Sequence, residues 1–164
     1  MPYIPLATPS GASGNSVRIL VFTEGTVLGP KNIFQHFFCS KYIPIGGCVE
    51  KLRHWEAQGA ELLYCTSRKG EPYRNAIASI LRSFHFPGTR LYYRSGKQRY
   101  KDIVEEIIPD ILIEDDCKSL GGAWQMCITD VKPEIKGRIK SIAVKEFTGI
   151  DALPDSLTEL KARR

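Results

Sequence analysis

The chain has 164 residues and a mass of 18.4 kDa, with 43% hydrophobic, 25% charged and 10% aromatic residues, the make-up of a single globular domain and not of a disordered, collagen-like or repeat chain. Lysine and arginine number 23 against 18 acidic residues, a net charge of +5 spread along the chain, which gives weak attraction to anions and leaves nucleic acid a minor partner class. The five cysteines, at positions 39, 48, 65, 117 and 127, contain no CxxC pair, so a disulfide scaffold is a poor fit and a reducing, cytoplasmic setting is expected.

Met1 to Ser16 holds Pro2, Pro5, Pro9, Gly11 and Gly14 among serines and threonines and lacks the basic start and apolar centre of a signal peptide. It reads as a flexible leader, with one domain over residues 17–164. No apolar run approaches the roughly 18 residues that cross a bilayer, so no membrane partner is expected. Val17 to Phe22 is a short, β-branched run closed by Thr23-Glu24-Gly25-Thr26, the pattern of a buried strand. A helix over about Gly47 to Gln58 puts Val49, Leu52 and Trp55 on one face and stops at Gly59. Glu61 to Cys65 is a second strand ending at Thr66-Ser67. An amphipathic helix carrying Ile77, Ile80, Leu81 and Phe84 leads to a third strand, Arg90 to Tyr93. The next helix carries Tyr100, Ile103, Val104, Ile107 and Ile108 and is stopped by Pro109. Ile111 to Ile113 is a fourth strand, ending at Glu114-Asp115-Asp116. Residues 117–140, with Gly121-Gly122 and Trp124, are too long for a plain loop and are expected to hold a short helix and a flap over a site. Ser141 to Val144 is a fifth strand, and Ala152 to Lys161 a last amphipathic helix.

Continuous apolar strands separated by amphipathic helices make βαβ units, so the expected fold is α/β: a three-layer α/β/α sandwich around a parallel five-stranded sheet. Such sheets bind ligands beyond the carboxyl ends of their strands. There the chain offers Thr23, Glu24 and Thr26, then Thr66 and Ser67, then Glu114, Asp115 and Asp116, with Lys97 and Lys101 from the helix before the fourth strand. Clustered carboxylates repel unless a cation lies between them, and oxygen donors of this kind suit Mg²⁺. Hydroxyls and backbone N–H groups beside a lysine suit a phosphate.

In their order these motifs resemble the haloacid dehalogenase superfamily: a strand ending in an acidic-Gly-Thr turn, a second ending in Thr-Ser, a lysine before the last acidic strand, and that strand ending in Asp-Asp. The resemblance spans about Val17 to Phe147. It implies a Rossmann-like sheet of order 3-2-1-4-5 and, commonly, Mg²⁺-dependent phosphoryl transfer through an aspartyl nucleophile. It makes Thr66 the phosphate-binding hydroxyl with Ser67 beside it, Lys97 or Lys101 the phosphate-neutralising lysine, and Asp115 with Asp116 the metal pair, with Glu24 or its neighbouring carbonyl as a third ligand. About 20 residues between Thr26 and the Gly47 helix leave no room for a large cap, as in small nucleotidase-like members, so the site should be open. The first motif departs from Asp-x-Asp-Gly-Thr. Aligned on Gly-Thr, Phe22 takes the nucleophile's place and Glu24 that of the general acid/base; aligned without a gap, Thr23 takes the nucleophile's place. Neither keeps an Asp nucleophile, and a Thr23 hydroxyl would need Glu24 as its base.

Each residue also has a plainer reading. Asp115 and Asp116 serve equally as a cap for a turn near Cys117, Thr66 and Ser67 as caps for the helix that Pro72 helps start, Glu24 as an exposed turn residue, and the lysines as a solvated face. His36, His54 and His85 show no ligand spacing. Cys39, Cys48, Cys117 and Cys127 lack the close pair that zinc sites use, Cys65 reads as an inert core thiol and Cys48, opening a helix, as the more reactive one. The expectation is a haloacid-dehalogenase-like domain with a metal and phosphate pocket for a phosphorylated small molecule and weak or absent phosphatase activity. The alternatives are an active Mg²⁺-dependent phosphatase or nucleotidase with an unusual first motif, and a non-catalytic partner-binding domain.

Overall fold

The computed structural model describes residues 1–7, 16–32 and 39–162. In chain order the strands and α-helices are β1 (Tyr3–Pro5), β2 (Val17–Phe22), β3 (Leu28–Pro30), β4 (Tyr42–Pro44), α1 (Cys48–Ala57), β5 (Ala60–Cys65), α2 (Glu71–Ser83), β6 (Arg90–Tyr92), α3 (Tyr100–Ile107), β7 (Ile111–Asp115), α4 (Pro133–Lys136), β8 (Lys140–Val144) and α5 (Leu157–Ala162).

Apolar runs without alternation form strands buried on both faces, and β2 is the clearest case. Ile19, Leu20 and Val21 are all fully buried. Ile19 and Val21 pack with Leu52 and Trp55 of α1, Ile77 and Leu81 of α2, and Leu157 and Leu160 of α5. Leu20 and Phe22 point the other way, to Ile103, Val104 and Ile107 of α3 and to Cys127, Ile128 and Val131. Two apolar layers on either side of one sheet make the three-layer sandwich.

The sheet runs β1-β6-β5-β2-β7-β8. Its last five strands are parallel, as the pairings of β6 with β5, β5 with β2, β2 with β7 and β7 with β8 show. Renumbered without β1 and the short ribbon described below, their order is 3-2-1-4-5. The expected five-stranded parallel sheet needs one correction: there are six strands and the sheet is mixed. Tyr3–Pro5, taken from the sequence as part of a leader, pairs antiparallel with β6, Tyr3 opposite Tyr92 and Pro5 opposite Arg90. An outermost strand tolerates proline because one row of its backbone groups needs no partner. The leader reading for residues 8–15 lies outside the described residues.

A second feature absent from the expectation is a two-stranded ribbon, β3 against β4, with Leu28 opposite Pro44. It springs from the end of β2, where the Val27 and Leu28 N–H groups both donate to the Thr23 carbonyl. The stretch after β7 contains three short 3₁₀ turns, Lys118–Leu120, Gly122–Gln125 and Cys127–Asp130, and then α4. The chain's last turns dock on α1: Trp55 Nε1 donates to the Pro154 carbonyl (3.0 Å) and Gln58 accepts from Leu157 N (2.8 Å). No helix among the described residues is long and apolar enough to cross a membrane.

Because β1 covers the edge of β6, deleting residues 1–5 should lower Tm by about 3 °C or more and make the protein associate as concentration rises, through the bared edge. Scanning calorimetry and light scattering read both; an unchanged Tm in a monodisperse truncation would show that β1 contributes nothing.

Candidate functional site

Beyond the carboxyl ends of the central strands lies an open cleft of about 510 Å³. Continuing the register of Phe22 opposite Cys65 and Val21 opposite Ile113 brings Thr23, Thr66 and Asp115 to one level. The Thr23 N–H donates to the Cys65 carbonyl at 2.9 Å, which locks that level.

The centre of the site is the Glu24 carboxylate. Its Oε1 accepts from the Thr66 hydroxyl at 2.5 Å and lies 3.4 Å from Arg68 Nε. Its Oε2 accepts from Ser67 N (3.0 Å) and the Thr23 hydroxyl (2.8 Å). The Arg68 contact is one of charge, since Nε makes no hydrogen bond there. Arg68 lies 5.7 Å from the centre of the Tyr42 ring, and its Nη2 reaches the Tyr42 hydroxyl at 3.5 Å. Arg94 is stacked 3.8 Å over Tyr100, whose hydroxyl donates to the Ser67 carbonyl at 3.0 Å. Burial pushes the Tyr100 hydroxyl well up, so it stays a donor. Phe22 meets Tyr100 edge to face.

Gly25 follows at φ +81°, and a Cβ there would sit 2.6 Å from Asp115 Oδ2. Both the backbone angle and the close approach require glycine. The three acidic residues at the end of β7 point to different places, as successive strand residues must. Glu114, 3% exposed, accepts from Cys127 N (2.7 Å) and Ile128 N (3.1 Å); burial, opposed by those two bonds, raises its carboxyl to about 7. Asp115 borders the cleft and accepts from Cys117 N at 2.8 Å. Its carboxyl is raised by burial first, then by Glu146 and Asp116, against the Cys117 bond. Asp116 is turned away from the cleft: its Oδ1 accepts from Lys118 N (3.3 Å) and Glu146 N (3.1 Å), while its own N–H bonds the Val144 carbonyl.

The structure thus brings Ser67, Glu24 and Asp115 to one cleft, places Thr66 fully buried behind Glu24 without bordering the cleft, and leaves the other expected residues elsewhere. Thr23 is fully buried, its single proton shared between Glu24 Oε2 and the Cys65 carbonyl (3.2 Å), and it does not border the cleft. Lys97 lines a separate hollow, and Lys101 pairs with Glu105 on α3 at 3.5 Å. Arg68 and Arg94 supply the positive charge instead. Neither Thr66 nor Ser67 caps α2, whose N-cap is Gly70, whereas Asp115 and Asp116 do cap the turn at Cys117 and Lys118.

The Mg²⁺ that the resemblance implies does not fit these donors as arranged. Both Glu24 oxygens are held by other groups, Asp116 faces away, and among the described residues no three His, Cys, Asp or Glu side chains group as a metal needs. Cys48, Cys117 and Cys127 form no such group either; the side chain of Cys39 and all of His36 lie outside the described residues. Cys48 is fully buried, with its thiol pushed up to about 12 by burial, so it is inert. His54 and His85 are exposed.

No protein-family model matches the sequence, and no curated protein matches it. Among solved structures the fold overlaps a chain of the Pnkp1/Rnl/Hen1 RNA repair complex, with a TM-score of 0.56 and 14% identity over 85% of this chain and 46% of that one. The chain therefore spans about half the length of that relative. Looser overlaps are found with D,D-heptose 1,7-bisphosphate phosphatase from Burkholderia thailandensis (TM-score 0.46, 10% identity, 81% and 94% covered) and with a universal stress protein in complex with cAMP (0.42, 16%, 79% and 97%). At such identities these likenesses describe the fold alone.

Glu114 titrates against folding. Its folded carboxyl lies near 7, above the ordinary 4.5, so its contribution to stability is complete below about 4.5 and is lost as pH rises through 7. Measured by urea unfolding, the stability of the wild type relative to Glu114→Gln should fall across that window and then level off. A difference that stays flat from pH 4.5 to 8 would show that Glu114 titrates normally.

Proposed function

We propose that the chain is a haloacid-dehalogenase-like domain whose cleft binds a phosphoryl group without hydrolysing it. The order 3-2-1-4-5, the Glu24-Gly25-Thr26 turn after the first of those strands and Thr66-Ser67 after the second support the family reading. The observation that carries the binding reading is the cradle around Glu24: a hydroxyl, a backbone N–H and a guanidinium converging on one anion. Such a donor set recognises a phosphoryl oxygen as readily as a carboxylate. Glu24 is the anion that the chain itself supplies, and a phosphorylated small molecule must displace it.

The same geometry argues against turnover. In the gap-free alignment the nucleophile's place falls to Thr23, whose hydroxyl is buried and turned from the cleft. In the other it falls to Phe22, which carries no nucleophile. Glu24, the sole acidic residue of the turn, is held on the cradle with both carboxylate oxygens already engaged.

Two outcomes test the reading. Phosphate release from p-nitrophenyl phosphate, with or without Mg²⁺, should stay at background; robust release that Asp115→Asn abolishes would overturn the non-catalytic part and favour the active phosphatase. Glu24→Ala should lower the unliganded Tm, because Arg68, Thr66 and Ser67 lose their shared partner, yet bind inorganic phosphate roughly tenfold more tightly than the wild type. Thr66→Ala in that background should weaken the binding again. Calorimetry showing no phosphate binding to Glu24→Ala would remove the cradle as a phosphate site.

A further inference from the structure

We propose that the ligand is a compact molecule carrying two phosphoryl groups, the second seated in a basic hollow beside the cradle; the proposal rests on the cradle being the first phosphate site. The hollow measures about 350 Å³ and has Lys69, Arg74, Arg94 and Lys97 in its lining, with no acidic residue. Six cations elsewhere are matched: Arg18 with Glu61, Lys51 with Asp155, Arg68 with Glu24, Arg99 with Asp130, and Lys101 and Lys132 with Glu105. Among the described residues none of the four cations of the hollow has an ion-pair partner. Four like charges around one space repel, and an anion between them turns that repulsion into attraction.

Two of the four are fixed in position. Arg74 lies 4.1 Å over the Tyr93 ring and donates to the Lys69 carbonyl at 2.5 Å, while Arg94 is stacked 3.8 Å over Tyr100. Guanidinium groups held on aromatic faces lose little freedom when they bind, and each can offer two parallel donors to a phosphoryl group. Arg94 lines both the cleft and the hollow, so the two anion positions share a wall and one ligand can reach both. The ligand is compact because the two anion positions adjoin at Arg94. The next cations along the chain, Arg99 and Lys101, are already neutralised by Asp130 and Glu105, so the unpaired charge does not run on along that side.

Calorimetry on the full chain, wild type and Glu24→Ala, would compare inorganic phosphate, fructose 6-phosphate, fructose 1,6-bisphosphate, pyrophosphate and a short single-stranded RNA. The better of the two bisphosphorylated probes should bind at least about tenfold more tightly than fructose 6-phosphate. Lys69→Gln with Arg74→Gln should erase most of that ratio; Lys69→Gln alone, an exposed change that leaves the Tyr93 stack intact, should reduce it in part. If phosphate binds Glu24→Ala and Thr66→Ala weakens it, but neither bisphosphorylated probe gains over fructose 6-phosphate, the second site is refuted while the cradle stands. If the ratio survives in the double variant, the hollow is not where the second group sits. RNA binding more tightly than every small probe would overturn the compact ligand. No binding of phosphate to any form would instead remove the cradle on which the proposal rests.

Discussion

One half-buried carboxylate ties the ends of two central strands together. Glu24 leaves β2 and is held by the two residues that leave β5, Thr66 and Ser67, and by Arg68 one step further. Arg68 in turn reaches Tyr42 of the ribbon, and the Ser67 carbonyl anchors Tyr100 at the start of α3. The cleft's near wall therefore depends on a single anion. Hydrogen bonds to a charged acceptor are about twice as strong as neutral ones, and removing the acceptor leaves each donor with its desolvation cost uncompensated. With the glycine that lets Asp115 pack against the next backbone unit, this contact fixes the geometry of the turn.

The opposite wall is fastened by a second carboxyl, this one buried, with another logic. Glu114 faces the α3 side of the sheet and clasps the N–H groups of Cys127 and Ile128, holding residues 117–140 over the strand ends. Burial there is not offset by a cation, so the acid is pushed towards its neutral form. Glu24 keeps a guanidinium beside it and Glu114 has none, which separates a group placed to be exchanged for another anion from one placed to pin a loop.

Much of this was legible in the chain. The five parallel strands and the helices α1, α2 and α3 follow from period and length, since runs such as Ile19 to Phe22 and stripes such as Ile103, Val104 and Ile107 have one reading each. β1, β3 and β4 are three-residue strands that each end in proline and lie outside the strand-helix alternation, so they read as loop. At the site, Glu24, Thr66 and Ser67 could be found because strand ends are where such sheets bind. Arg68 and Arg94 could not, because a loop side chain's direction is set by what it stacks on. The pairing of Asp115 with Asp116 on one cation ran against a rule the sequence does contain: neighbours on a strand face opposite ways, and Asp116 indeed turns to Lys118 and Glu146. Of the two lysines, Lys101 lies on a part of α3 where Glu105 claims it, while Lys97 lines the neighbouring hollow.

In the phosphate site we propose, an anion built into the site would also set what can replace it. Glu24 is tethered two residues past β2, so it competes as an intramolecular ligand, with an effective concentration no free carboxylate matches. A carboxylate ligand would meet the same donors with the same charge and lose on entropy. A phosphoryl group brings a second negative charge and a third oxygen, and only the added charge can draw on Arg94, which Glu24 does not touch. Selectivity for phosphoryl over carboxyl groups then comes from the competitor already in place, without a clash or a closed lid. The unmatched cations of the neighbouring hollow extend the same principle, since each further charge on the ligand finds a partner that the internal carboxylate leaves unused.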